Sequence, residues 1–451
     1  MSAALIRGAA LALAVGVATA TAATPEQALK LGAELTPVGA EAAGNAAGTL
    51  PRWEGGLTVP PPAFKGPGSR YVDPFAADRP LYVITAGNLE QYRHLLTPGQ
   101  LALFAQYPKT YAMPVYPARR TAAFPEFIYA ATRRNATAAR LASNGESVAG
   151  ARDGFPFPLP RSGAEVIWNH RLRYQGGDFA RWNVQAPVTA SGDYTLVRLR
   201  EEVRFLLHRQ GEHGSDDPNM FAYYLQRTMA PARVAGQVLL VHETIDQVAE
   251  MRRAWSYNPG QKRLRRAPAV GYDTPGVGAD GLRTTDQTDS FNGALDRYTW
   301  KLVGKREVLL PVNAYRIHAP DVRYADILKP GHINQSLARY EVRRAWVVDA
   351  TLAPGKAHVY GRRTFYVDED SWQIHAVDVY DRRGQLWRVQ DAHSIVAYDK
   401  PFPFQTLEVV YDLQARRYLA QAMSNQEDER QDVTFPPNYF STANAMKVAA
   451  R

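Results

Sequence analysis

The sequence has no cysteine. That absence excludes disulfide scaffolds, thiolate zinc sites, iron–sulfur clusters and a cysteine nucleophile. It also excludes a mature N-terminus anchored through a lipidated cysteine. Long apolar runs are missing as well. Beyond Ala23 no stretch approaches the roughly 18 uncharged apolar residues that suggest a membrane-spanning helix. There is no phosphate-binding loop, Rossmann glycine fingerprint or nucleophile elbow, and no repeat at the roughly 20–50-residue period of a propeller or solenoid.

What is present suffices for a folded core. Of 451 residues 45% are apolar and 22% charged, enough for one large domain or two to three ordinary ones and too apolar for a disordered chain. The net charge of +9 permits an anionic partner, nucleic acid or a lipid headgroup, without selecting one.

The first residues read as a leader. Residues 1–7 carry one positive charge at Arg7, residues 8–18 are small and apolar, and Ala20-Thr21-Ala22 is a small-x-small cleavage site. Cleavage is expected after Ala22 or Ala23, leaving residues 1–22 as a signal peptide and the mature chain in a bacterial periplasm. Exported chains of this kind rarely meet nucleic acid, so a nucleic-acid partner is not expected.

Residues 23–160 hold 17 of the 31 prolines and little periodicity. They read as a strap with short helices, begun at Thr24-Pro25, at Thr97-Pro98 and over 131–141. From about Glu165 the pattern turns to strands: 194–205, 238–245, a hairpin over 252–266 turning at Asn258-Pro259-Gly260, then 298–310, 340–352, 358–367, 373–380, 385–398, 406–413 and 416–423. Tight turns between them imply antiparallel neighbours and one large curved sheet from about Phe179 to Met423. Helices are expected at 217–228, with Phe221, Tyr224 and Leu225 on one face, and at 284–291. The fold class is α+β: an antiparallel sheet domain over 161–430 with a few helices packed on its concave face and the Pro-rich strap before it, followed by a C-terminal tail over 431–451.

No catalytic or metal-binding set emerges. His242-Glu243-Thr244-Ile245-Asp246 is half of a zincin motif, but Asp stands where the second His must be and the run is strand-like. Asp368-Glu369-Asp370 lacks the alternating oxygen ligands of a calcium loop and reads as a solvated turn. Asp378 and Asp381 cannot be assigned acid/base roles without their separation. The doublets Arg252-Arg253, Lys262-Arg263, Arg265-Arg266, Arg343-Arg344, Arg362-Arg363, Arg382-Arg383 and Arg416-Arg417 point to both faces of their strands. They suit an exposed basic surface with long stems over apolar area, or a basic rim for a membrane or acidic partner.

Strand aromatics are numerous. Trp255, Tyr257, Trp346 and Trp372 are among those that exceed what a few short helices would cover. Either the strap completes an ordinary core, or the sheet curls around an apolar concavity. Strand parity does not say which face would be concave.

Several segments resemble the family called domain of unknown function 1329: Leu35-Thr36-Pro37-Val38-Gly39-Ala40-Glu41, Trp53-Glu54-Gly55-Gly56, Asp73-Pro74-Phe75, Met113-Pro114-Val115-Tyr116-Pro117, Val166-Ile167-Trp168-Asn169-His170, Trp255-Ser256-Tyr257-Asn258-Pro259-Gly260, Asp280-Gly281-Leu282-Arg283-Thr284-Thr285-Asp286-Gln287 and Tyr366-Val367-Asp368-Glu369-Asp370-Ser371-Trp372. The similarity runs from about residue 24 to about 424. The resemblance implies an exported protein with a LolA- or LolB-like fold, an open antiparallel half-barrel closed by helices around an apolar cavity. It also implies a companion outer-membrane protein and a transporter of the resistance–nodulation–division type. No catalytic residue is established for the family and none is carried over.

The resemblance tips the reading toward a concavity. The expectation is a carrier or adaptor for a lipid or other hydrophobic molecule, not an enzyme, without cofactor, and with Trp255, Tyr257, Trp346 and Trp372 lining the ligand. The alternative is a ligand-free structural adaptor in an outer-membrane-associated complex.

Overall fold

The computed structural model describes residues 23–209, 217–267 and 272–450. The expected leader and its cleavage point lie outside them. One 14-stranded antiparallel sheet organises the chain. Its strands are β1 (Phe179–Val188), β2 (Val197–Phe205), β3 (Met220–Ala230), β4 (Val238–Thr244), β5 (Arg253–Asn258), β6 (Arg263–Arg266), β7 (Tyr298–Leu310), β8 (Glu341–Leu352), β9 (Arg362–Asp368), β10 (Ile374–Tyr380), β11 (Leu386–Ala397), β12 (Phe402–Asp412), β13 (Arg417–Met423) and the short β14 (Gln431–Asp432). The spatial order is β6-β5-β4-β3-β2-β1-β13-β12-β11-β10-β9-β8-β7, with β14 beside the start of β1. Two meanders therefore meet where β1 pairs β13, Leu419 opposite Pro187. The outer strands β6 and β7 do not pair, so the sheet is open.

Four longer helices are α1 (Pro98–Gln106), α2 (Glu126–Ala138), α3 (Gly163–Arg171) and α4 (Thr442–Ala449). They are divided between the faces. On one face, Trp168 of α3 joins Trp372, Phe365 and Val348 in a continuous core. On the other, Leu103 and Phe104 of α1 pack with Val184, Val409 and Tyr418. Ala445 of α4 covers Leu225, Val238 and Leu240.

The start signals at Thr24 and Thr97 are reciprocal capping boxes in the structure, although the first opens only one turn, Pro25–Ala28. Three expectations are corrected. Residues 217–228 do not form a helix but enter β3. Tyr224 and Thr228 face one side and Tyr223 and Leu225 the other, and both sides are covered, so the apolar spacing imitates a helix. Residues 284–291 hold only the 3₁₀ turn Thr285–Gln287. The region from Glu165 begins with α3, started by the Ser162/Glu165 capping box, and not with a strand.

The Asp368-Glu369-Asp370 turn is not solvated either. All three are buried. Asp368 and Asp370 pair with Arg343 at 2.9 and 2.7 Å, Asp370 with Arg120 at 2.6 Å, and Glu369 with Arg344 at 3.0 Å. Arg120 also donates to the Glu41 and Ala42 carbonyls at 2.7 and 3.1 Å, so the cluster ties the N-terminal segment to the sheet. Arg252, Arg343, Arg344 and Arg363 are thus buried partners of carboxylates, whereas Arg263, Arg265, Arg266, Arg382 and Arg383 lie on the expected exposed surface.

Candidate functional site

A cavity of about 470 Å³ lies on the α3 face of the sheet, against β1–β5 and β12–β13. The parity of the strands sets its floor: Phe179, Arg181 and Asn183 of β1, Glu201, Val203 and Phe205 of β2, Ala222, Tyr224, Gln226 and Thr228 of β3, Leu239, Val241 and Glu243 of β4. Its roof is the segment between β6 and β7, through Thr274–Val277, Arg283, Asp289 and Phe291, together with the residues at and just after the end of α3, Arg171, Arg173 and Gln175. Phe179, Phe205, Phe221, Phe291 and Phe404 give the cavity an aromatic lining. Its size falls within the roughly 300–1,000 Å³ of small-molecule sites.

Charge is the unexpected feature. Six arginines line the cavity, Arg171, Arg173, Arg181, Arg252, Arg283 and Arg430, against the four carboxylates Glu201, Glu243, Asp289 and Glu408. Three arginines are paired: Arg181 with Glu201 at 2.7 Å, Arg173 with Asp289 at 2.5 Å and Arg252 with Glu243 at 3.4 Å. Arg283 bonds the Gln421 amide oxygen at 2.7 Å, and Arg430 donates to the Gln175 carbonyl at 2.6 Å while covering the Phe179 ring at 3.7 Å. Burial, with the nearby Asp289, pushes Glu408 up to about 7. Burial and the Arg173 charge push His170 of α3 down to about 3, so it is neutral, and its Nε2 meets the Asp289 carbonyl at 2.8 Å.

Of the four aromatics singled out in the sequence, Tyr257 lines the cavity. Trp255, two residues away on the same face of β5, packs with Tyr257 against the cluster under α4, 5.0 Å from the His242 ring, and does not line the cavity. Trp346 and Trp372 stack at 6.2 Å in the core beside α3, and the Trp372 indole donates to the Val38 carbonyl at 3.0 Å. The sheet is therefore filled under α3 and hollow between β1–β5 and their roof.

The half-zincin residues separate. His242 meets the Phe440 carbonyl at 2.7 Å on the α4 face, Glu243 enters the cavity, and Asp246 accepts from Ser143 at 2.7 Å. Among the described residues no group of three or more His, Asp or Glu is placed to hold a metal ion. Asp378 is buried, accepting from the Gly99 amide at 2.9 Å and the Tyr366 hydroxyl at 3.1 Å, whereas Asp381 caps its own turn. Sequence reasoning gave none of the cavity arginines a site role: Arg252 was read as part of a surface doublet, Arg283 only as part of a family motif, and Arg171 was not singled out. Its signal was available: it ends the Ser162-capped segment, one residue past the Val166–His170 motif.

The family described as Protein of unknown function (DUF1329) matches residues 83–447. Uncharacterized protein PA3922 of Pseudomonas aeruginosa is 48% identical over 414 residues, 92% of this chain and 91% of that protein. Among solved structures, a DUF1329 family protein from Desulfovibrio piger is similar with TM-score 0.40 and 14% identity, covering 60% of this chain and 92% of its own. A LolA superfamily protein from Nitrosomonas europaea gives TM-score 0.38 and 11% identity over 63% of this chain and 100% of its own. A match that spans most of the chain, joined to 48% identity with a full-length relative, makes this protein a member of the DUF1329 family.

Proposed function

We propose that the protein is a periplasmic carrier that holds one hydrophobic or amphipathic molecule non-covalently. The roofed cavity of about 470 Å³, with phenylalanines from both floor and roof, is the observation that carries this reading. Burying a chain there gains roughly 0.8 kcal/mol per methylene, so a long chain leaves slowly unless a partner accepts it or the roof moves. The family resemblance supplies the proposed recipient, an envelope transporter of the resistance–nodulation–division type with an outer-membrane partner. The leader-like N-terminus supports the compartment, and among the described residues no helix is long and apolar enough to cross a membrane. The solid core beneath α3 favours the ligand-free adaptor as the competing reading.

Mass spectrometry of protein purified from its native envelope should find a co-purifying lipid-like molecule at near-stoichiometric amount. Ala222→Trp, which fills the floor, should lower uptake of the probe N-phenylnaphthylamine about tenfold or more with far-UV circular dichroism unchanged. Empty protein that also fails to take up the probe would favour the adaptor.

A further inference from the structure

Arg171 is the last residue of α3, stands among the residues that line the cavity and is almost fully buried. None of its three guanidinium nitrogens has a hydrogen-bond partner, and no carboxylate stands within ion-pair distance among the described residues. Its guanidinium lies over the Trp168 ring, 4.5 Å from the ring centroid. Two carboxylates act on its charge from beyond ion-pair distance, Glu243 and Glu146, and Glu146 keeps one buried oxygen without a partner. Glu243 is held by Arg252, and burial pushes Glu146 up to about 7, so it carries only part of a charge at neutral pH. The negative end of α3 stabilises a cation here, but it supplies no counter-ion. A buried guanidinium with its donors unmet is destabilising unless something accepts from them.

We infer that the ligand of the cavity carries an anionic head, a carboxylate or a phosphate, that Arg171 binds with Arg252 beside it while the apolar tail lies along the phenylalanine lining. A guanidinium fork matches either anion in two parallel hydrogen bonds. This rests on the carrier reading and narrows it from any hydrophobic molecule to an acidic amphiphile.

The test is equilibrium binding of four probes with one tail length, below their micelle concentrations: dodecanoate, dodecyl phosphate, 1-dodecanol and dodecyltrimethylammonium, with inorganic phosphate as a tail-free arm. The anionic probes should bind roughly 10- to 100-fold more tightly than dodecanol, the equivalent of one or two charge-assisted hydrogen bonds, and the cationic probe more weakly still. Arg171→Gln should remove that discrimination by weakening the anionic probes, whereas Arg171→Lys should keep part of it. Equal binding of dodecanoate and dodecanol by the wild-type protein overturns the anionic head but leaves the carrier standing. Binding of inorganic phosphate without any of the tailed probes overturns the carrier and the amphiphile, and its loss in Arg171→Gln would assign Arg171 to a soluble anion. No binding in any arm overturns both. Because the comparison among probes is made on the unaltered protein, a variant that fails to fold does not blunt it.

Discussion

Asp391 stands in β11 with both carboxylate oxygens buried and unbonded. Burial, aided by the nearby Asp378, pushes it up to about 7. The folded protein thus holds this proton more tightly than the unfolded chain, whose carboxyl titrates near 4. The group's contribution to stability is complete below that value and is lost as pH rises through about 7. Asp391→Asn should remove the loss, so the melting temperature of the variant should gain on the wild type between pH 4 and pH 8. A difference that stays flat with pH would show the carboxyl to be ordinary. No local pattern marks Asp391 in the sequence, because its cost comes from strands paired on either side. The acidic triplet at 368–370 was misread for the same reason: of the two arginines that pair with Asp370, Arg120 lies 250 residues upstream and Arg343 on a neighbouring strand. Arg171, by contrast, would have been within reach of local reasoning had the Ser162/Glu165 cap, which the reading passed over, been taken as the start of α3.

At the scale of elements, α3 decides where the sheet is filled and where it is hollow. It can lie close because its first residue is Gly163. A Cβ there would stand 2.8 Å from a Val348 methyl carbon and 3.0 Å from the backbone carbonyl carbons of Trp300 and Lys301. Gly163→Ala should therefore lift the helix and destabilise the protein by about 1–3 kcal/mol, read as a lower urea midpoint with unchanged slope. An unaltered midpoint would mean that the helix seat is loose. Most strands were legible because tight turns and alternation bound them, and Tyr298–Leu310 and its partner Glu341–Leu352 lie within one residue of expectation. Covered on both faces, β3 has no such alternation, and a strand without a wet side is indistinguishable from a short buried helix by spacing alone. The cavity was not legible in outline. It depends on how the roof between β6 and β7 folds back, and that course is written in turns and ion pairs, not in period.

At the scale of the molecule, we propose that residues 23–160 are an arm that folds only on the sheet. Its longer helices, α1 and α2, bury their apolar sides in clusters completed by sheet residues, and Arg120 finds its carboxylate in the Asp368-Glu369-Asp370 turn. Alone, the segment must offset roughly 1–2 kcal/mol of backbone entropy per residue without those partners. Isolated, it should show no cooperative thermal transition; a sharp melt would make it a domain in its own right. The strand order has a further consequence. In a chain delivered N-terminus first, β1 to β6 can pair hairpin by hairpin, but the second edge of β1 must wait for β13, which follows only after the whole opposite meander. The middle of the finished sheet is thus its last seam to close. Until then the protein exposes its most central strand edge, an invitation to mispairing that holding factors would have to guard.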